Sequence, residues 1–162
     1  NAKQGFADPA DFVSTLWPHA ADAAQNLGVP AHFLLGHAAL ESGWGKREIR
    51  DAQGNNSHNL FGIKAGKGWT GAVVEAHTTE YINGVAQKRT ELFRAYGSYA
   101  ESIKDYASLL QNSPRYAPLF AQQLDAGGFA RGLQQAGYAS DPMYAAKLAR
   151  VINSDVLRQA LS

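Results

Sequence analysis

Glu41 is the side chain in this sequence best placed for acid–base chemistry. It stands in Ala38-Ala39-Leu40-Glu41-Ser42-Gly43-Trp44-Gly45, directly after His32-Phe33-Leu34-Leu35-Gly36-His37. It is the first acid after an apolar, helix-like run that begins near Pro30. A carboxyl group packed against the end of a buried helix is desolvated, which disfavours its charged form and raises its pKa. Gly43 and Gly45 leave room for a ligand to approach the backbone, and Trp44 offers a flat ring beside the acid. A proton donor poised near neutrality is what cleavage of a glycosidic bond requires. The competing reading is a solvated or ion-paired carboxylate that staples the fold, the commoner fate of a glutamate at a helix end.

Glycoside hydrolysis usually needs a second group, to stabilise a positive sugar or to activate water from the opposite face. Glu75, Glu80, Glu91 and Asp105 are the candidates. Glu80 lies close to the Asn83-Gly84 turn, where a polar hairpin could carry it over a cleft. Its spacing equally suits a solvated cross-strand partner for Lys88 or Arg89. Asp105 falls in mid-helix and reads as a structural carboxylate that orients a neighbour. Aromatic side chains are many for this size. Trp44 and Trp69 sit in glycine-flanked, exposed-looking settings where flat rings meet sugar faces.

Other chemistries find little support. The histidines at 19, 32, 37, 58 and 77 show no H-E-x-x-H pattern or other tight ligand spacing, so no metal is expected. His32 and His37 read as core or helix-surface residues. No G-x-S-x-G elbow is present, and Gly66-Lys67-Gly68 is too short for a phosphate loop. Cysteine is absent, so no disulfide or cysteine metal site exists. The 15 basic and 14 acidic side chains leave a net charge of +1, with no basic block to draw nucleic acid. The apolar runs are too short to span a membrane.

The elements that must position these groups follow from caps and periodicity. The 162 residues, 45% of them hydrophobic, suit one globular domain over residues 9–162, behind a loose lead-in at 1–8. Asp8-Pro9 caps a first helix carrying Phe12, Val13, Leu16, Ala20, Ala23, Ala24 and Leu27, which Pro18 is expected to kink or split. A second helix runs from about Pro30 to Ser42. Residues 46–71 are irregular. Val73–Ile82 and Gln87–Tyr96 read as strands about the Asn83-Gly84 turn, with no clean apolar face, so the hairpin projects into water or lines a cleft. Ser98-x-x-Glu101 is a capping box. Further helices open at Ser113-Pro114, span about 125–136, and follow Asp141-Pro142, the last with a break before Leu157. The class is α+β: a mainly helical body with one hairpin inserted. The chain starts at Asn1 with no Met, charged n-region or apolar h-region, and reads as a domain cut from something longer.

One ordered set of motifs covers residues 9–155: A-L-E-S-G-W-G, N-L-F-G-I-K, T-T-E-Y in the hairpin, and A-G-Y-A-S-D-P-x-Y-A-x-K-L. It resembles the glucosaminidases of glycoside hydrolase family 73, and within them the wall-hydrolase domains that serve flagellar assembly. E-S-G-W-G alone is ambiguous, because lytic transglycosylases and goose-type lysozymes share a similar Glu-Ser segment. The resemblance implies a lysozyme-like fold with a helical lobe and a small β-lobe across a groove. It implies cleavage of the β-1,4 bond after N-acetylglucosamine in peptidoglycan, without a cofactor. Carried over by motif, Glu41 is the general acid, Glu80 the hairpin carboxylate proposed as second catalytic group, and Tyr138 a tyrosine of the site. Asp105 is a further carboxylate thought to matter. Trp44, Asn59, Phe61, Trp69 and Tyr96 are the candidate substrate-binding residues. If Glu80 activates water the product is inverted; if the substrate's acetamido oxygen attacks, configuration is retained and Tyr138 could orient that acetamide. The resemblance also implies a periplasmic enzyme, exported through the flagellar apparatus, with flagellar rod proteins bound by an N-terminal region absent here. Two alternatives stand beside it: a lytic transglycosylase or muramidase that needs only Glu41, and a non-catalytic wall-binding or rod-scaffold module.

Overall fold

The structure, a computed structural model, describes residues 5–120 and 124–162. Its centre is a helix that is apolar on all sides. Helix α2 (Ala31–Ser42) buries Phe33, Leu34, Leu35, Gly36, His37, Ala38, Ala39 and Ser42. A helix without a polar face must be enclosed by others, and α1 (Pro9–Leu27) and α5 (Tyr144–Ile152) pack directly on it. Helix α3 (Tyr99–Asn112) packs on α1, α4 (Ala126–Gln135) on α5, and α6 (Asp155–Leu161) on α1. One hydrophobic cluster joins all six.

Two caps lie where the sequence places them, whereas α5 starts at Tyr144 behind Met143 and takes no side-chain cap from Asp141. Asp8 accepts a hydrogen bond from the Asp11 amide, and Ser98 one from the Glu101 amide. Pro18 does not split α1, which runs on to Leu27. The carbonyl deprived of a donor belongs to Ser14, on the exposed face of the helix, where water can serve it. The segment opened by Ser113-Pro114 is a 3₁₀ helix, Pro114–Phe120, because Pro118 removes the amide that an α-helical bond to Pro114 would need. The lead-in is also tighter than expected at its described end. Phe6 meets Phe12 edge-on at 5.0 Å and lies 5.3 Å from Tyr99; residues 1–4 lie outside the described part.

Strands β1 (Val73–Ile82) and β2 (Val85–Arg94) form a two-stranded antiparallel ribbon. Asn83 and Gly84 both have positive φ, the type I′ geometry of a two-residue turn, so Ile82 pairs with Val85. The second strand therefore begins and ends two residues earlier than the sequence suggested. Only Val74 and Phe93, partners at the base, are buried. The rest of the ribbon stands away from the core. Among the described residues no helix is long and apolar enough to cross a membrane.

Candidate active site

Glu41 occupies the last turn of α2. Gly43 ends the helix in the left-handed conformation (φ 59°) and returns its amide to the Ala39 carbonyl. Ser42 ties the same corner, donating to the Ala38 carbonyl at 2.7 Å and accepting from the Gly45 amide at 3.0 Å. The Glu41 side chain is 21% exposed, open only towards a groove of about 730 Å³ between the helical body and the hairpin. Burial raises its pKa to about 7, against the opposing pull of the Tyr144 hydroxyl and the Arg47 charge. Oε2 accepts from Tyr144 Oη at 2.5 Å. Oε1 faces Gly62, where a β-carbon would stand only 3.0 Å away. Gly62 (φ 65°) thus keeps the space beside Oε1 clear.

The loop that presents Gly62 is held by Asn59, which is buried. Its Oδ1 accepts from the Phe61 and Ile63 amides, and its Nδ2 donates to the carbonyls of Ile63 (2.9 Å) and Arg94 (2.8 Å). Phe61 is buried and stacked on Tyr106 with ring centres 3.7 Å apart, so neither face is free for a sugar. Its carbonyl accepts the Tyr138 hydroxyl at 2.7 Å. Tyr138, in the loop after α4, lies against His37 and Tyr144 and reaches the groove wall.

Glu80 lines the same groove from β1. Its partner is neither Lys88 nor Arg89. Lys64 Nζ lies 2.8 Å from Oε2, and Ser140 donates to Oε1 at 3.1 Å. Burial pulls its pKa up, but the Lys64 ammonium and the Ser140 hydroxyl outweigh it and hold the carboxyl below its ordinary value. Two acids on opposite walls thus have pKa values pushed apart, one protonated near neutrality and one ionised. That is the arrangement acid-catalysed glycoside cleavage uses.

The remaining predicted residues do not line the groove. Asp105 accepts from Arg94 at 2.9 Å and from the Tyr96 hydroxyl at 2.6 Å, tying α3 to the end of β2. Tyr96 is consumed in that tie. Trp44 meets Phe12 edge-on at 5.6 Å and packs against the core. Trp69 gives its Nε1 proton to the Ala72 carbonyl, has the Arg94 guanidinium 4.6 Å over its ring, and buttresses the hairpin base. Sequence reasoning assigned no function to His37, Lys64, Ser140 or Tyr144. His37 left a signal in its i, i+4 spacing from Glu41 on one helix face, and Lys64, Ser140 and Tyr144 stand inside the quoted motifs. Among the described residues no three His, Asp or Glu side chains gather as a metal site would need.

The family model described as mannosyl-glycoprotein endo-beta-N-acetylglucosaminidase, the glucosaminidase model, matches residues 17–157. The chain belongs to the glucosaminidase family. Among curated relatives of this chain, the peptidoglycan hydrolase FlgJ of Pseudomonas aeruginosa is 44% identical over 160 residues, 99% of this chain and 40% of that protein. FlgJ of Escherichia coli K12 is 49% identical over 145 residues, 90% of this chain and 46% of that protein. The chain therefore spans less than half the length of these relatives. A crystal structure of a peptidoglycan hydrolase mutant from Sphingomonas sp. A1 superposes with a TM-score of 0.89 at 59% identity, covering 94% of this chain and 97% of that one. The C-terminally truncated glycoside hydrolase domain of Salmonella typhimurium FlgJ gives 0.71 at 48% identity, covering 90% and 95%. The glucosaminidase fold here is α+β and lysozyme-like, as the motifs implied.

Proposed function

We propose that this glucosaminidase is an endo-β-N-acetylglucosaminidase that cleaves the β-1,4 bond between N-acetylglucosamine and N-acetylmuramic acid in peptidoglycan glycan strands. The observation that carries this reading is the pairing of Glu41, with its pKa raised to about 7, and the ionised Glu80 across one groove. Glu41 is the general acid. Its proton goes from Oε1 to the glycosidic oxygen as the bond to the anomeric carbon breaks. Glu80 faces the positive charge that develops on the sugar. Bound to Lys64, it is a weak base and a good electrostatic stabiliser, and it activates water only once that ion pair loosens. Tyr138 has its hydroxyl proton committed to the Phe61 carbonyl. It therefore orients an acetamide through its oxygen lone pairs and its ring. Asp105 supports the hairpin behind the site. We further propose, on the resemblance carried by the motifs, a role in opening the wall for flagellar rod assembly in the periplasm, with rod proteins bound by regions outside this chain; the relatives named peptidoglycan hydrolase support action on the wall.

The test is a digest of purified peptidoglycan by wild type and Glu41→Gln in parallel, with mass spectrometry of borohydride-reduced fragments. The expected result is new reducing ends on N-acetylglucosamine, reduced at least about 10²-fold in the folded variant. Anhydro-muramyl ends would assign the chain to lytic transglycosylases instead. A folded wild type that makes no new ends would mark a wall-binding module.

A further inference from the structure

His37 is a buried titratable side chain that the chemistry above leaves unused. It is fully buried in α2, one turn before Glu41. Its Nδ1 lies 2.6 Å from Tyr106 Oη, its Nε2 is hydrogen-bonded to Tyr144 Oη, and Tyr144 Oη lies 2.5 Å from Glu41 Oε2. Three helices thus contribute to one file of side chains: Tyr106 from α3, His37 and Glu41 from α2, and Tyr144 from α5. The groups facing His37 are Glu41 on its own helix, Tyr106, Tyr144, and Tyr138 from the loop after α4. The sole charge among them is that of Glu41, 3.8 Å from Nε2. Burial takes the His37 pKa down to about 3, so the ring is neutral and carries one proton.

Counting protons gives the file a direction. Each tyrosine has one hydroxyl proton and neutral histidine one N–H, three protons for three links. In one direction Tyr106 donates to Nδ1, Nε2–H donates to Tyr144, and Tyr144 donates to Glu41 Oε2. In the other, a protonated Glu41 donates to Tyr144, Tyr144 to Nε2, and Nδ1–H to Tyr106. The Tyr106 proton then has no acceptor among the described residues, inside a fully buried site. A buried donor left without a partner is unfavourable, so the first direction holds. It holds for both states of Glu41, since Oε2 accepts whether or not Oε1 carries a proton.

We propose that the Tyr106–His37–Tyr144 file is a polarised hydrogen-bond chain that keeps Tyr144 a donor to Glu41 Oε2 and so confines the acidic proton to Oε1, the oxygen beside Gly62 in the groove. His37 and Tyr144 are positioning residues, and the inference rests on Glu41 being the general acid. A carboxylic acid has two oxygens and only one faces the substrate. The chain removes the unproductive placement of the proton.

The first test needs no substrate. Long-range ¹H–¹⁵N correlation spectra of the wild-type chain, taken from pH 5 to 8, should show His37 neutral and protonated on Nε2 throughout. A proton on Nδ1, or a His37 that titrates in that range, would overturn the proposal. The second test is the pH profile of kcat/KM. Tyr144→Phe removes a donor to the ionised carboxylate, so the alkaline limb should move to higher pH and kcat should fall about tenfold or more. His37→Leu should move the limb the same way. His37→Gln, whose amide supplies both a donor and an acceptor, should bring it back towards wild type. An unmoved limb in folded Tyr144→Phe, with Glu41→Gln inactive, would sink the proposal. Wild-type lysis by Glu41→Gln would sink instead the reading of Glu41 as the acid.

Discussion

With its pKa near 7, Glu41 binds a proton more tightly in the folded chain than in the unfolded one, where a glutamate titrates near 4.5. The unfolded chain loses that proton first as pH rises. Stability is therefore full below about 4.5 and falls until the folded group ionises near 7. At about 1.36 kcal/mol per pKa unit, the loss is roughly 3 kcal/mol. Glu41→Gln removes it. Denaturant unfolding at pH 4.5 and pH 8 should show the variant gaining on wild type by about that amount between the two. An equal gap at both values would mean that the carboxyl is not held protonated by its surroundings. His37, with its pKa lowered, works the opposite way and weakens the fold as pH falls, but it is common to both chains and cancels. Glu41 was legible in the sequence because its environment is local: an apolar helix before it and glycines after it. Tyr144 was not, because it reaches Glu41 from 103 positions away. The surroundings of Trp44 and Trp69 were illegible for the same reason. Flanking glycines suggested exposure, while Phe12, Tyr96 and Arg94 supply cover that no short window contains.

Helix α5 delivers Tyr144 to α2, and Gly36 permits the approach. A β-carbon at Gly36 would come within 2.6 Å of Ile152 Cγ1 and 3.2 Å of its Cα. Gly36→Ala must therefore push α5 outward or strain both helices, at about 1–3 kcal/mol. The same shift moves Tyr144 away from Glu41, so lysis should fall by more than the folded fraction does. Parallel melting and turnover measurements check this; equal losses would leave Gly36 with a packing role alone. Most element boundaries were readable, because caps and the Asn-Gly turn are written in single residues. The exceptions have identifiable causes. Pro18 was expected to kink or split α1 because sequence alone does not show which carbonyl faces water. The strand at 85–94 lies two residues before its expected place because the two-residue turn pairs Ile82 with Val85 and fixes the register.

At the scale of the whole molecule, the hairpin meets the helical body twice. At its base, the Ala65 amide donates to Leu92 and the Arg94 amide to Ile63. Near its tip, Ser140 accepts from the Tyr81 amide at 2.8 Å and donates to Glu80. Ser140→Ala should speed hydrogen exchange at the Tyr81 amide while leaving the base of the hairpin protected. Equal exchange in both chains would mean that the tip contact does not hold in solution. The two attachments differ in kind, since the base is built on buried Val74 and Phe93 and the tip on the Ser140 hydroxyl and the Lys64–Glu80 ion pair.

That asymmetry bears on how a polymer gets in. For the glycan strand proposed as substrate, a lifted ribbon would open the groove from the side. Near its tip the two hydrogen bonds of Ser140 and the Lys64–Glu80 ion pair hold the ribbon down. Its return would set Glu80 back on the wall of the groove that Glu41 lines.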